Sequence, residues 1–335
     1  MLGNKKSEAL LANIRNGQPM SQNEKLKLIV SLSIPSILAQ ITTVMMFFID
    51  ASMVGHLGAE ASASIGLVES TTWLMGSVMS AASMGFSVQV SHFIGANDFF
   101  KARQVFRHGL LCGLAFSLII AAIGTSIHSV LPLWLGGGND INHDASQYYL
   151  VFSLTMPFIL LFHLSASMIK CSGNMQLPSL MSVLLCVLDV IFNYLFIYML
   201  HLGVVGAAIG TSMAYISTSL PIAWMATRRN KILALQLDNV PFKWVWDYVT
   251  KAIRISLPMA IQSVLMSGAQ IVSTLIVAPL GNIAIASNSF AITAESLCYM
   301  PGYGIGDAAT TLVGQTYGAG RKDLCKSFAY MTVGL

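Results

Sequence analysis

The sequence predicts an all-α polytopic membrane protein, and three observations carry that reading. Of the 335 residues, 55% are hydrophobic and only 10% are charged, whereas a soluble domain carries roughly 25% charged residues. Apolar stretches of about 20 residues or more recur along the chain, the length a helix needs to cross a bilayer. The Lys and Arg residues collect in alternate connections between those stretches, which is the asymmetry of an oriented multi-pass protein.

The apolar runs are continuous rather than alternating, so they fit helices and not the strands of a barrel. They place spans at about 28–54, 61–93, 104–135, 147–170, 177–200, 204–227, 251–280 and 283–318, with a ninth beginning near Leu324. Several exceed about 20 residues and imply tilt or extension beyond the hydrocarbon. The first run follows a polar, lysine-containing segment. It is too long for a signal-peptide core and has no small-residue cleavage site behind it, so it reads as a retained helix. The organisation expected is a cytoplasmic tail over 1–27, a six-helix N-terminal lobe over 28–227, a cytoplasmic linker over 228–250 and an incomplete C-terminal lobe over 251–335. The five cysteines (Cys112, Cys171, Cys186, Cys298, Cys325) lie in spans or at their cytoplasmic ends. They read as small buried thiols, not as a disulfide framework or a zinc site.

Orientation follows from the cations. Lys5, Lys6, Arg15, Lys25 and Lys27 precede the first span, and Lys101, Arg103 and Arg107 follow the second. Lys170 ends the fourth span. Six more lie between the sixth and seventh (Arg228, Arg229, Lys231, Lys243, Lys251, Arg254), and Arg321, Lys322 and Lys326 follow the eighth. All 18 fall on one side, which the positive-inside rule makes cytoplasmic. The net charge of +4 is therefore topological, and no nucleic-acid partner is expected. The aromatic-basic segment Phe242-Lys243-Trp244-Val245-Trp246 is placed at the cytoplasmic interface.

The chain also repeats itself. Pro35 and Pro258 each open an apolar run after Ser33 and Ser256, 223 residues apart. The same offset pairs Leu57-Gly58 with Leu280-Gly281, Ala63-Ser64 with Ala286-Ser287, and Gly95-Ala96 with Gly318-Ala319. It spans an even number of helices, so both copies point the same way. Parallel repeats are a transporter signature, with sites between or inside the halves. A second copy equal to the first would have six spans, so the chain reads as C-terminally truncated.

Five carboxylates fall within the expected spans: Asp50, Glu69, Asp189, Glu295 and Asp307. No Lys or Arg lies deep in a span to pair with them. A charge at the bilayer centre costs about 2.5–3.5 kcal/mol on insertion scales, and such residues usually bind cations or protons or line an aqueous path. Asp50 lies toward the outer end of the first span. Asp189 and Asn193 are one turn apart and share a face, offering oxygen ligands to a hard cation or an interhelical hydrogen-bonding pair. Glu69, Glu295 and Asp307 are further candidates; Asp307 follows Gly302, Gly304 and Gly306, where a flexible backbone can admit water. Pro35, Pro157, Pro178, Pro221, Pro258 and Pro301 mark kinks or helix starts. The 19 methionines read as packing filler.

The chain from about Leu26 onward resembles the multidrug and toxic compound extrusion (MATE) family. The stretches that carry the resemblance are Ile49-Asp50-Ala51-Ser52-Met53-Val54-Gly55-His56-Leu57-Gly58, Ile94-Gly95-Ala96-Asn97, Leu188-Asp189-Val190-Ile191-Phe192-Asn193-Tyr194-Leu195-Phe196-Ile197 and Val313-Gly314-Gln315-Thr316-Tyr317-Gly318-Ala319-Gly320-Arg321. The resemblance implies two six-helix lobes around a central cavity, and export of drugs or organic cations in exchange for H⁺ or Na⁺ without another cofactor. It implies that Asp50 is the acid of a cation site completed by Asp189, Asn193 and Thr211. Two departures stand out. The family pattern usually reads Asn-x-x-x-Asp, whereas here Asp189 precedes Asn193. In the seventh span Met266 occupies the place where one Na⁺-coupled branch carries Glu. The resemblance further implies a multi-pass protein of the cell inner membrane, with small organic substrates.

Three other readings compete. A lipid-linked oligosaccharide flippase of the same superfamily would need cationic residues in its cavity for a phosphorylated headgroup. An intramembrane enzyme finds only His163 near Ser165 and Ser167, which is more simply a polar patch. A non-functional fragment would expose surfaces made for missing helices.

Overall fold

The computed structural model describes residues 2–238, 242–277 and 282–334. Among them the architecture is helical throughout, with no strand. The helices are α1 (Leu2–Arg15), α2 (Gln22–Gly55), α3 (Ala59–Gly95), α4 (Phe99–Ile127), a single turn α5 (Leu131–Trp134), α6 (Asn139–Cys171), α7 (Gln176–Asn193), α8 (Gly203–Trp224), α9 (Trp246–Val277), α10 (Asn282–Gly318) and α11 (Lys322–Val333). Two π-helical turns, Tyr194–Met199 and Met225–Arg229, extend α7 and α8.

Local sequence sets several boundaries. Ser21 caps α2, its hydroxyl accepting from the Glu24 N–H while Glu24 Oε2 accepts from the Ser21 N–H at 2.8 Å, a reciprocal capping box. Asp98 opens α4 by accepting from the Lys101 N–H at 3.1 Å. The third expected span, 104–135, divides: α4 stops at Ile127 and α5 restarts with Pro132 in its first turn. Proline has no N–H to donate and fits best in a helix's first turn, whereas in the interior it removes a hydrogen bond and kinks the helix. The tail expected over 1–27 is itself helical. Leu11 and Ile14 of α1 are fully buried, and α2 begins ahead of the first expected span. Pro35, Pro157, Pro221, Pro258 and Pro301 lie inside helices, while Pro178 falls in the first turn of α7.

By length and composition, six helices among the described residues can cross a membrane: Gln22–Gly55, Phe99–Ile127, Ile141–Cys171, Gln176–Met199, Gly203–Arg229 and Trp246–Gln270. The expected second and eighth spans are long helices but are not in that set. For α3 the reason is position. α3 packs against α4, α6, α9 and α10, and its small polar residues Ser64, Ser83, Ser87 and Ser91 are buried among them. Helices that meet helices inside a bilayer use small residues for close approach and need less apolar surface.

The repeat is visible in three dimensions. The 223-residue offset carries Ala59 to Asn282 and Gly95 to Gly318, the ends of α3 and α10, and Phe99 to Lys322, the starts of α4 and α11. The left-handed turn residue Asn97 (φ 57°) maps onto Gly320 (φ 71°). Packing is exchanged between copies: α2 lies on α10 and α9 lies on α3. α3 and α10 cross at a point of backbone contact, with Gly95 against the Gln315 carbonyl and Gly318 against the His92 carbonyl. Gln315 is the repeat partner of His92, so the two contacts are one contact seen twice about an axis. The expected pairing of Leu280-Gly281 lies outside the described residues.

Two apolar clusters hold these helices. The larger joins α2, α3, α4, α6, α7, α8 and α9, around Met46, Met79, Phe106, Met156 and Leu164. The smaller joins the copies beneath α1: Leu11 and Ile14 sit with Leu28, Leu32, Met175, Ala308, Leu312, Leu324 and Phe328. At this basic end Arg103 grips Asp238 through two nitrogens. The aromatic segment packs on fully buried His108, whose Nε2 accepts from the Val245 N–H at 2.9 Å. Leu11→Asp puts a charge into the smaller cluster. It is expected to release α1, so that amide hydrogen exchange over residues 2–15 becomes nearly unprotected while α6 keeps its protection.

Candidate functional site

Asp50 lies near the C-terminal end of α2 and is half-buried. Asp189 on α7 is fully buried, and Asn193, one turn on, is the last α-helical residue before the π-turn. The Asn193 amide joins them: Nδ2 donates to Asp50 Oδ1 at 2.9 Å and to Asp189 Oδ2 at 3.2 Å. The Asp50 and Asp189 carboxyls, joined by that one amide, are close neighbours, and Thr211 on α8 lies beside Asp189. Three helices thus bring together all four residues that the sequence singled out.

Local structure makes the meeting possible. The π-turn from Tyr194 widens the helix where Asn193 must reach across to α2; such bulges recur at functional sites. On α8, a Cβ at Gly210 would collide with Asn193 Oδ1 and with the Asn193 backbone. Only glycine lets α8 approach this closely. Two oxygens, Asp189 Oδ1 and Asn193 Oδ1, are buried without a hydrogen-bond partner. Among the described residues no Lys or Arg pairs with either acid. The local chemistry is therefore two acids, an amide and a hydroxyl, with oxygen ligands to spare. Above it, a cleft of about 400 Å³ opens between Ser52, Met53, His56, Tyr194 and Tyr198, residues that flank Asp50 and Asn193 in sequence.

Two residues near the acids were not anticipated. Tyr148 on α6 lies in the field of Asp50, Glu69 and Asp189, and Tyr215 on α8 in that of Asp189 and Asp50. The sequence held a signal for the second, since Tyr215 stands one turn from Thr211 and shares its face. No local signal marks Tyr148.

The remaining acids sit elsewhere. Glu69 is exposed on α3 and bonds with Trp73 one turn along. Glu295 is exposed on α10 beside Tyr299. Asp307 contradicts the expectation that no cation reaches the membrane acids: its Oδ2 meets Lys170 Nζ at 2.6 Å and accepts from Ser36 Oγ at 2.6 Å. Lys170 ends α6, but its four-carbon stem carries the ammonium across to α10. His163 makes no hydrogen bond with Ser165 or Ser167; its charged neighbours are Lys170 and Asp307.

Known proteins resemble this chain in sequence and in fold. The MatE family model matches residues 35–195 and 258–335. "Probable multidrug resistance protein NorM" of Thermotoga maritima is 25% identical over 302 residues, covering 89% of this chain and 64% of that protein. "Multidrug export protein MepA" of Staphylococcus saprophyticus is 25% identical over 259 residues, covering 76% and 56%. The chain thus spans less than two thirds of the length of either. A solved structure of a MOP superfamily transporter from Pyrococcus furiosus superposes with a TM-score of 0.86 at 24% identity, covering 92% of this chain and 69% of that one. The outward-facing conformation of a multidrug resistance MATE family transporter gives 0.85 at 24%, with the same coverage. The fold and the matched segments agree, and the chain belongs to the MatE family, the multidrug and toxic compound extrusion family that its spans resemble.

Proposed function

We propose that the chain is a secondary active transporter that exports drugs or organic cations in exchange for H⁺ or Na⁺. The observation that carries this is the Asp50–Asn193–Asp189 bridge. Two carboxyls from different helices share one neutral amide. Like charges this close are not both ionised without compensation. A proton or a hard cation supplies it, and Asp189 Oδ1, Asn193 Oδ1 and Thr211 stand ready as further oxygens. Binding there removes negative charge between α2 and α7, changes how they pack, and shifts the balance between inward- and outward-open forms. Substrate cations compete with the ion directly or through that shift.

The names of the relatives support drugs as substrates. The one-sided cations support an inner membrane with the N-terminus cytoplasmic. A phosphorylated lipid headgroup finds less support, because Lys170 is already engaged by Asp307.

The test is efflux of a cationic dye from proteoliposomes holding the 335-residue chain, with the pH and Na⁺ gradients imposed separately. The expected outcome is efflux driven by one gradient, together with proton release or Na⁺ uptake by the solubilised protein. Efflux indifferent to both gradients, with no ion bound or released, would defeat the reading.

A further inference from the structure

A second polar cluster lies away from the Asp50 site, on the seam between the copies. Asp307 Oδ2 holds Lys170 of α6 and Ser36 of α2, each at 2.6 Å, so one oxygen ties three helices. Further along the same face of α10, Thr311 Oγ1 donates to the Lys170 carbonyl at 3.3 Å and Gln315 Nε2 donates to the Cys171 carbonyl at 2.8 Å. From the other copy, Ser91 Oγ donates to the Thr311 carbonyl at 3.3 Å. The last turn of α6 is therefore gripped by Asp307, Thr311 and Gln315, spaced one turn apart.

The cluster sits close to the repeat axis. Met84 and Ser87 of α3 line it together with Asp307 and Thr310, their repeat partners. The space among them is about 10 Å³, room for one water at most. One turn beyond Gln315, the backbones of α3 and α10 touch at Gly95 and Gly318. α1 lies over the same seam, with Leu11 and Ile14 wedged between Met175 of the first copy and Ala308, Leu312 and Phe328 of the second.

We propose that the Lys170–Asp307 pair is a latch holding the two repeats closed at the basic end of the protein, and that this end opens only when the pair parts. A partly buried ion pair of good geometry resists separation, because each charge left behind loses its partner before it regains water. The pair also bridges copies that no covalent connection holds close, since Lys170 and Asp307 are 137 residues apart. The inference rests on the transporter reading only in that the repeats must part during a cycle.

Cys171 reports that parting. It is buried beside the latch, its thiol donating to the Ser87 carbonyl at 3.3 Å. With Cys112, Cys186, Cys298 and Cys325 replaced by Ser, a polar maleimide reaches Cys171 in detergent-solubilised protein only when the seam opens. Lys170→Met and Asp307→Leu are each expected to raise the labelling rate about tenfold or more, the double variant no further than either single one. The exchange variant Lys170→Asp with Asp307→Lys is expected to return it toward the parent rate. Single variants that label no faster than the parent, or an exchange variant that labels as fast as the singles, would overturn the latch. Should the single variants be lost from the membrane, an exchange variant that accumulates and labels slowly supports the latch, and one that is also lost overturns it. Labelling is read without transport, so failure here leaves the proposed ion site standing, and failure there leaves the latch.

Discussion

Asp50→Asn is expected to abolish ion-driven efflux while leaving the helical fold in place. Asparagine has nearly the same shape, and its side-chain oxygen can still accept from Asn193 Nδ2, which now donates to Asp50 Oδ1 at 2.9 Å. What disappears is the group that can change charge. Coupling between two sites is commonly worth about 1–3 kcal/mol, or roughly 5- to 150-fold, and the loss of driven efflux should fall in that range or beyond it. Thermal unfolding in detergent should hardly move, because no buried charge is left without a partner. Asp189→Asn should act in the same direction, and the double variant should be little worse than either single one, as expected for two acids serving one site. A fully coupled Asp50→Asn transporter would show that the bridge is only structural.

The second large effect concerns stability. Gly95→Ala and Gly318→Ala should each destabilise the protein, against the usual trend. Alanine in a helix interior normally stabilises by about 0.5–1 kcal/mol relative to glycine. Here a Cβ at either position meets a backbone carbonyl, that of Gln315 or of His92. A carbonyl cannot rotate away as a side-chain tip can, so α3 and α10 must separate. Overpacking of this kind costs typically 1–3 kcal/mol, about enough to reverse the sign. Without a hydrophobic force between helices in lipid, close backbone crossings of this kind contribute to holding helices together. Gly76→Ala on α3 and Gly268→Ala on α9 are the controls. Nothing lies within 4 Å of a Cβ at either place, so their unfolding temperatures should stay level or rise. Equal behaviour of all four variants would remove the crossing from the account.

Much of the fold was legible because membrane helices announce themselves in one dimension. The apolar run that became α7, for example, needed nothing beyond its own length and composition. The repeat was legible for a similar reason: Pro35 and Pro258 fix an offset that ends at Gly95 and Gly318, and both copies place a helix end there. The π-turn after Asn193 was not legible, since no residue in Tyr194–Met199 specifies a wider turn. Nor was α1, whose two buried residues Leu11 and Ile14 find their cover on three other helices.

The site divides in the same way. The sequence by itself marked Asp50 and Asp189, because a carboxylate in an apolar run is costly wherever the run ends up, and Asn193 because it stands one turn from Asp189 on the same face. It also set the orientation through the cations, whose positions relative to the spans need no folding to be read. Only the tertiary structure decided that Asn193 bridges two acids 143 and four residues away, and that Asp307 is answered by Lys170. Burial cost belongs to a residue and its neighbours along the chain. A partner belongs to packing, which brings together side chains from helices that the sequence sets far apart.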